Sequence, residues 1–165
     1  MVMLKLDRTD RLILEVMQQN GRISNLELAE RVGLSPSPCS RRVKQLEDAG
    51  FIRRHVTLLN ANKLNLSLTA YIHISMDLHT PERFEHFEEE VAKYDEVMEC
   101  MLVTGNDSDY QLKVTVPDME HFQNFLLGKL TRIPGVTGVR SSFILRTVID
   151  HTELPLTHIQ DWMEG

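Results

Sequence analysis

Only two cysteines, Cys39 and Cys100, occur in the 165 residues, and they stand far apart in sequence. That excludes a disulfide framework and a CxxC metal pair, and a reducing cytoplasm is the compartment expected. Long apolar runs are missing too: none approaches the ~20 residues that a membrane-crossing helix needs, so no membrane partner is expected. Met1-Val2-Met3-Leu4-Lys5-Leu6-Asp7 shows no apolar stretch behind a basic start, so a secretory signal is not expected either. Hydrophobic residues at 42% and charged residues at 25% are ordinary for a chain that folds around a core, which sets disorder aside.

Catalytic and metal signatures are equally scarce. The seven histidines form no HExxH, no HxxxH and no His–Cys grouping. GxGxxG and GxxxxGK[ST] are absent. Asn106, Asp107 and Asp109 lack the glycine and distal glutamate of a calcium loop. Cys39 and Cys100 read as small core residues. No catalytic site, metal or cofactor is expected, and the chain reads as a non-enzyme.

The length suits one large domain or two small ones. Charge favours two. The formal net charge of −6 divides into ten Lys and Arg against seven Asp and Glu over residues 1–60, and eight against seventeen over residues 61–165. A balance of +3 joined to one of −9 points to modules with different partners.

Three short helices are expected in the basic module, residues 1–60. Asp7 precedes the one-sided apolar series Leu12, Ile13, Val16 and Met17, which should stop near Asn20-Gly21. Ser24-Asn25-Leu26-Glu27 fits a capping box, and Leu28, Ala29 and Val32 mark the buried side of a second helix ending at Gly33. Ser35 as N-cap and Pro36 at the first position open a third, running to about Ala49 before Gly50. On it Cys39, Val43 and Leu46 share one face, and Ser37, Ser40, Arg41 and Lys44 the opposite one. Two helices joined by a tight turn, the second with a polar and basic face, form a helix-turn-helix pattern. Residues 51–59 read as two strand-like pieces around a basic tip, a wing.

This pattern implies double-stranded DNA as the partner, with the third helix in the major groove. Ser37, Ser40, Arg41 and Lys44 are candidates for base edges and phosphates, and Arg42, Arg53 and Arg54 for phosphate positioning. The helix starts at Ser24 and Ser35 are candidates to donate backbone N–H groups to phosphates.

In the acidic module, residues 66–150, alternation from Leu66 to Leu78 marks a strand and Thr80-Pro81 opens a helix. Strands over 97–104 and from Tyr110 to Val116 follow, then a helix begun by Pro117-Asp118 and a last strand from about Val136 to Ile149. The order is a ferredoxin-like βαββαβ, whose uncovered sheet face predicts pairing with a second copy. The chain is therefore read as α+β. In the tail, residues 151–165, Leu156, Ile159, Trp162 and Met163 suit a short amphipathic helix. The polar turn from Thr104 to Tyr110 is either a plain hairpin loop or a small-molecule site, with carboxylates for an ammonium group and backbone N–H groups for a carboxylate.

Leu6-Asp7-x-x-Asp10, Leu28-Ala29-Glu30-Arg31-Val32-Gly33-Leu34-Ser35-Pro36-Ser37-Pro38-Cys39 and Arg42-Val43-x-x-Leu46-Glu47-x-x-Gly50-Phe51-Ile52 resemble the leucine-responsive regulatory protein (Lrp/AsnC) family of prokaryotic transcription regulators. Thr104-Gly105, Asp109-Tyr110, Val116-Pro117-Asp118-Met119 and Pro134-Gly135-Val136 continue the match. The resemblance implies an N-terminal winged helix-turn-helix (wHTH), a linker strand, and a domain for effector binding and assembly. It further implies homo-oligomers built from dimers, such as tetramers or octamers, and a free amino acid as effector. Thr104, Gly105, Asp107, Asp109, Tyr110, Met119, Ser142 and Phe143 are the positions it assigns to effector binding. One departure stands out: three residues, Asn106-Asp107-Ser108, separate Gly105 from Asp109-Tyr110, where the family usually has two. The readings outside that resemblance are a ferredoxin-like ligand-binding or enzymatic domain whose helices serve assembly, and an architectural DNA binder without an effector.

Overall fold

The computed structural model describes residues 5–105 and 107–162. Asn106 of the polar turn and Met163 of the tail lie outside them. The chain divides into two compact units: one takes the chain up to Leu58 together with the chain from Ile149 onward, the other Leu59–Val148.

The first unit starts with α1 (Arg8–Gln19), where Asp7 and Asp10 close a reciprocal capping box. Helix α2 (Asn25–Val32) carries the expected box between Ser24 and Glu27 and ends on Gly33 at φ 70°, a left-handed conformation that glycine adopts without strain. Three residues later α3 (Pro36–Asp48) begins. Ile13, Leu14, Leu28, Ala29, Cys39 and Leu46 form the core, and small Ala29 lets the helices approach. The tail belongs to this core. Leu156 and Ile159 pack into it, and Gln18 bonds the Leu154 backbone twice, accepting from its N–H at 2.7 Å and donating to its carbonyl at 3.2 Å. A 3-10 segment, Thr157–Trp162, stands where a short helix was expected.

In the second unit β1 (Leu68–Met76), α4 (Pro81–Val91), β2 (Val97–Leu102), β3 (Tyr110–Val116), α5 (Met119–Gly128) and β4 (Val136–Phe143) follow the expected βαββαβ order. The sheet order is β2-β3-β1-β4, with every neighbouring pair antiparallel. Alternation in β1 and β3 sends Ala70, Ile72, Ile74, Tyr110, Leu112 and Val114 into a core shared with Phe87 of α4 and Phe122 and Phe125 of α5. The alternate residues, Tyr71, His73, Gln111 and Lys113 among them, are half-buried on the other face.

Two strand expectations are corrected. Residues 53–60 carry no regular secondary structure, and Val56, Leu58 and Leu59 are 61%, 71% and 73% exposed. Among the described residues no neighbouring strand supplies partners for that backbone, and an unpaired strand is not stable in water. The last strand stops at Phe143 instead of Ile149. Its partner β1 begins at Leu68, the Ile144 N–H still reaches Thr69, and beyond that no edge remains to pair with.

Candidate nucleic-acid interface and effector site

The three-residue turn Gly33-Leu34-Ser35 fixes how α3 leaves α2, and Asn25 Nδ2 donates to the Pro36 carbonyl at 2.8 Å across it. Helix periodicity then sorts α3 by face. Cys39 and Leu46 are fully buried with Val43 beside them, while Ser37, Ser40, Arg41 and Lys44 are exposed along one stripe. Burial pushes the Cys39 thiol up, in keeping with a packing role. Arg41, Lys44, Arg53 and Arg54 are exposed and form no ion pair among the described residues. The arrangement offers mobile cations and hydroxyls beside a convex helix, the chemistry that meets phosphates and base edges.

Three of the expected DNA contacts are changed by their surroundings. Arg42 is turned inward: its Nη1 donates to Asp7 Oδ2 and Asp10 Oδ1, both at 2.7 Å. Helix geometry explains this, because each residue turns the wheel by about 100°, and Arg42 leaves the helix between the Arg41 stripe and the Leu46 face. The bonds to Asp10 and Asp7 raise the Arg42 pKa. Burial works against the charged form of Asp7, yet the Asp10 backbone N–H and the Arg42 guanidinium hold its carboxyl below the ordinary range. Ser24 is likewise committed, since its N–H and hydroxyl both donate to Glu27 Oε2, at 3.1 and 2.9 Å. At Ser35 the side chain makes no cap bond, and Pro36 and Pro38 have no N–H, which leaves Ser37 to supply one in the first turn of α3.

The effector candidates are more dispersed. Thr104, Gly105 and Asp107 are exposed in the turn before β3, with Gly105 at φ 85°. Asp109 is held from two sides: Oδ2 accepts the Met76 N–H at 2.7 Å and Oδ1 meets His79 Nε2 at 2.8 Å. Tyr110 is buried among Phe84 and Phe87, and its hydroxyl donates to Glu88 Oε1 at 2.7 Å. Burial and the Glu88 carboxylate push that hydroxyl's pKa up. Tyr110 and Glu88 also line a groove of about 340 Å³ between α4 and β2. Cys100 lines it as well, exposed on β2 and not in the core as expected; desolvation of its thiol against the groove wall, with the Glu88 charge, pushes it up to about 11.

Met119, Ser142 and Phe143 stand at the opposite end of the sheet. Tyr110 pairs with Ile74, which pairs with Val139; Ser142 and Phe143 pair with Tyr71 and Ala70, opposite Lys113 and Val114. At about 3.3 Å per residue along a strand and about 4.8 Å between strands, Tyr110 lies roughly 14–16 Å from the Ser142–Phe143 pair. Phe143 stacks edge-on against Phe122 at 5.0 Å, one turn beyond Met119. One chain therefore does not bring the eight positions into a single amino-acid pocket.

Sequence reasoning missed Asp7 and Asp10 as partners of Arg42, and His79, Met76 and Glu88 as partners of Asp109 and Tyr110. The first set carried a usable signal: acids three apart at a helix start, and an arginine off the polar stripe. The second depends on contacts across the fold and carried none. Among the described residues no three His, Cys, Asp or Glu side chains cluster as a metal centre requires, and no helix is long and apolar enough to cross a membrane.

Known proteins match both units. Residues 6–53 fit the winged helix-turn-helix DNA-binding family and residues 69–154 the Lrp/AsnC ligand binding domain. The leucine-responsive regulatory protein of Klebsiella pneumoniae is 46% identical over 143 residues, 87% of either chain, and the same figures hold for that of Escherichia coli. Among solved structures, a transcriptional regulator of Neisseria meningitidis in complex with L-Met is 45% identical with a TM-score of 0.90, over 93% of this chain and 99% of that one. An AsnC family transcriptional regulator of Agrobacterium tumefaciens is 36% identical with a TM-score of 0.87, over the same shares. With both its DNA-binding and its ligand-binding domains matched, the chain belongs to the Lrp/AsnC family of transcription regulators.

Proposed function

We propose that Ser37, Ser40, Arg41 and Lys44 read an operator through the major groove while Arg53 and Arg54 hold phosphates beside it, and that a free amino acid tunes this binding. The observation that carries the first part is the uncommitted basic and hydroxyl stripe on α3, set against a fully buried opposite face. Two copies presenting two such helices address half-sites about one helical turn (~10 bp) or a multiple apart. The assembly is a dimer or a multiple of dimers, and its place of action is the nucleoid in the cytoplasm.

The amino-acid effector is supported by the L-Met complex of the Neisseria meningitidis neighbour. Here the turn at Thr104–Asp107 and the cluster at Met119, Ser142 and Phe143 stand at opposite ends of one sheet, so the reading assigns them to different copies meeting at an interface. The effector then acts by differential affinity for the assembled states.

A gel shift across a salt series tests the reading face: Arg41→Ala should weaken operator binding and flatten the salt dependence by about one phosphate contact. Unchanged affinity and slope would remove Arg41 from the interface. A thermal-shift screen of the twenty amino acids tests the effector, since binding to the folded state raises Tm by mass action. A flat response to all twenty would reject it.

A further inference from the structure

We propose that Arg42 is a positioning residue for DNA reading, a tie that sets the angle of the recognition helix through Asp7 and Asp10 without itself touching DNA. The proposal rests on the reading face assigned to α3 above.

The four carboxylate oxygens of Asp7 and Asp10 are all accounted for. Asp7 Oδ1 accepts the Asp10 N–H at 2.8 Å and Asp10 Oδ2 accepts the Asp7 N–H at 3.1 Å, which closes the cap of α1. The two remaining oxygens converge on Arg42 Nη1, 2.7 Å from each. The acceptors are thus oriented by the cap before the arginine arrives: Asp10 is held by burial at 7% exposure as well as by its cap bond, and the half-exposed Asp7 carboxylate by its bond to the Asp10 N–H. Such preorganised, charge-assisted bonds are directional.

The core around them is not directional. Ile13 and Leu14 of α1 meet Cys39 and Leu46 of α3 through apolar contact, which holds the helices together but tolerates sliding and rotation. Reading base edges demands side chains placed to within a fraction of an ångström, whereas phosphate attraction does not. Charge argues the same way. Two carboxylates against one guanidinium leave the cluster net negative, a poor neighbour for a phosphate. If Arg42 were a DNA contact, Asp7 and Asp10 would be inhibitors of binding. If it is a tie, they are required.

That opposition makes Asp7→Asn the decisive variant, because asparagine is itself a good N-cap and keeps α1 started. An operator is first selected from random DNA by the full-length wild-type protein, and affinity for it and for competitor DNA is measured across salt. Asp7→Asn should weaken operator binding about tenfold, the scale of one lost charge-assisted bond, with competitor affinity and salt slope unchanged. Arg42→Ala should do the same, and Asp7→Asn should cost nothing further in its background, because both remove one tie. Tighter operator binding or a steeper slope in Asp7→Asn would overturn the proposal, as would an equal loss on both DNAs with a flatter slope in Arg42→Ala. Where Arg42→Ala fails to fold by circular dichroism, Asp7→Asn decides alone. Arg41→Ala in parallel separates the two ideas: if it changes nothing, the reading face is misassigned, whereas a silent Asp7→Asn beside a weakened Arg41→Ala overturns only the tie.

Discussion

In the DNA-reading unit the candidate contacts on α3, Ser37, Ser40, Arg41 and Lys44, lie along one stripe of one helix, whereas the effector unit divides its candidates between two ends of a sheet. The cores differ in the opposite sense. Among the described residues the reading unit buries eight apolar side chains, two of them as small as Ala29 and Cys39. The effector unit buries fourteen, including Phe87, Tyr110, Phe122 and Phe125. A site that needs only one helix tolerates a small core pinned by ion pairs. The effector site proposed above, divided between copies, would need a rigid body that presents its two halves at fixed separation.

The largest expected effect tests that contrast in the cores. Leu46→Ala and Ile72→Ala each remove a fully buried side chain at a local cost of about 3 kcal/mol. In the small reading unit that loss should melt α1–α3 and abolish DNA binding, while the effector unit should keep its circular dichroism after Ile72→Ala. Equal loss of both units' structure in either variant would erase the distinction.

A smaller effect separates residues of the polar turn. Asp109→Ala leaves the half-buried Met76 N–H without its acceptor and should cost the effector unit about 1–3 kcal/mol, read as a drop in Tm without any ligand. Asp107 is exposed and its backbone carbonyl accepts from Ser75 Oγ, a bond that alanine keeps, so Asp107→Ala should shift Tm little. An unchanged Tm for Asp109→Ala would return that carboxylate to the list of free ligand groups.

The smallest effect concerns pH at the start of α5. Asp118 Oδ1 accepts both the His121 N–H at 2.9 Å and its ring Nδ1 at 2.8 Å. That bond raises the imidazole above its ordinary 6.5, so its stabilisation is present below that value and fades as pH rises through the raised pKa. The backbone and side-chain bonds to His121 lower Asp118 below 3.8, so its share is present above that value and is lost as pH falls through the depressed one. The effector unit's Tm should therefore decline gently on the alkaline side, and His121→Ala should remove that limb while leaving reading-unit melting untouched.

The helices and the strand order were legible because their signals are local: capping boxes at Ser24, alternation from Leu68 to Met76, and glycine at the left-handed end of α2. Strand length was not legible at residues 53–60 or beyond Phe143, since a strand persists only where a neighbour pairs with it, and that neighbour is set by the fold. The reading stripe followed from periodicity alone. The partners of Arg42, Asp109 and Tyr110 were not legible for a shared reason: a charged or polar residue in a motif meets whichever group the fold brings nearest, and in each case the structure supplies such a group within the chain.

The tail has a consequence for synthesis. Leu156 and Ile159 follow the whole effector unit in chain order, yet they complete the core that holds Leu6. The whole effector unit, Leu59–Val148, is therefore made before the reading unit receives its final side chains. A truncated chain would carry every element of the effector unit and all three N-terminal helices, but a reading core left open beside α1. A complete reading core then forms only after the effector unit has been made, so products that stop short of Leu156 should be poor competitors for the operator.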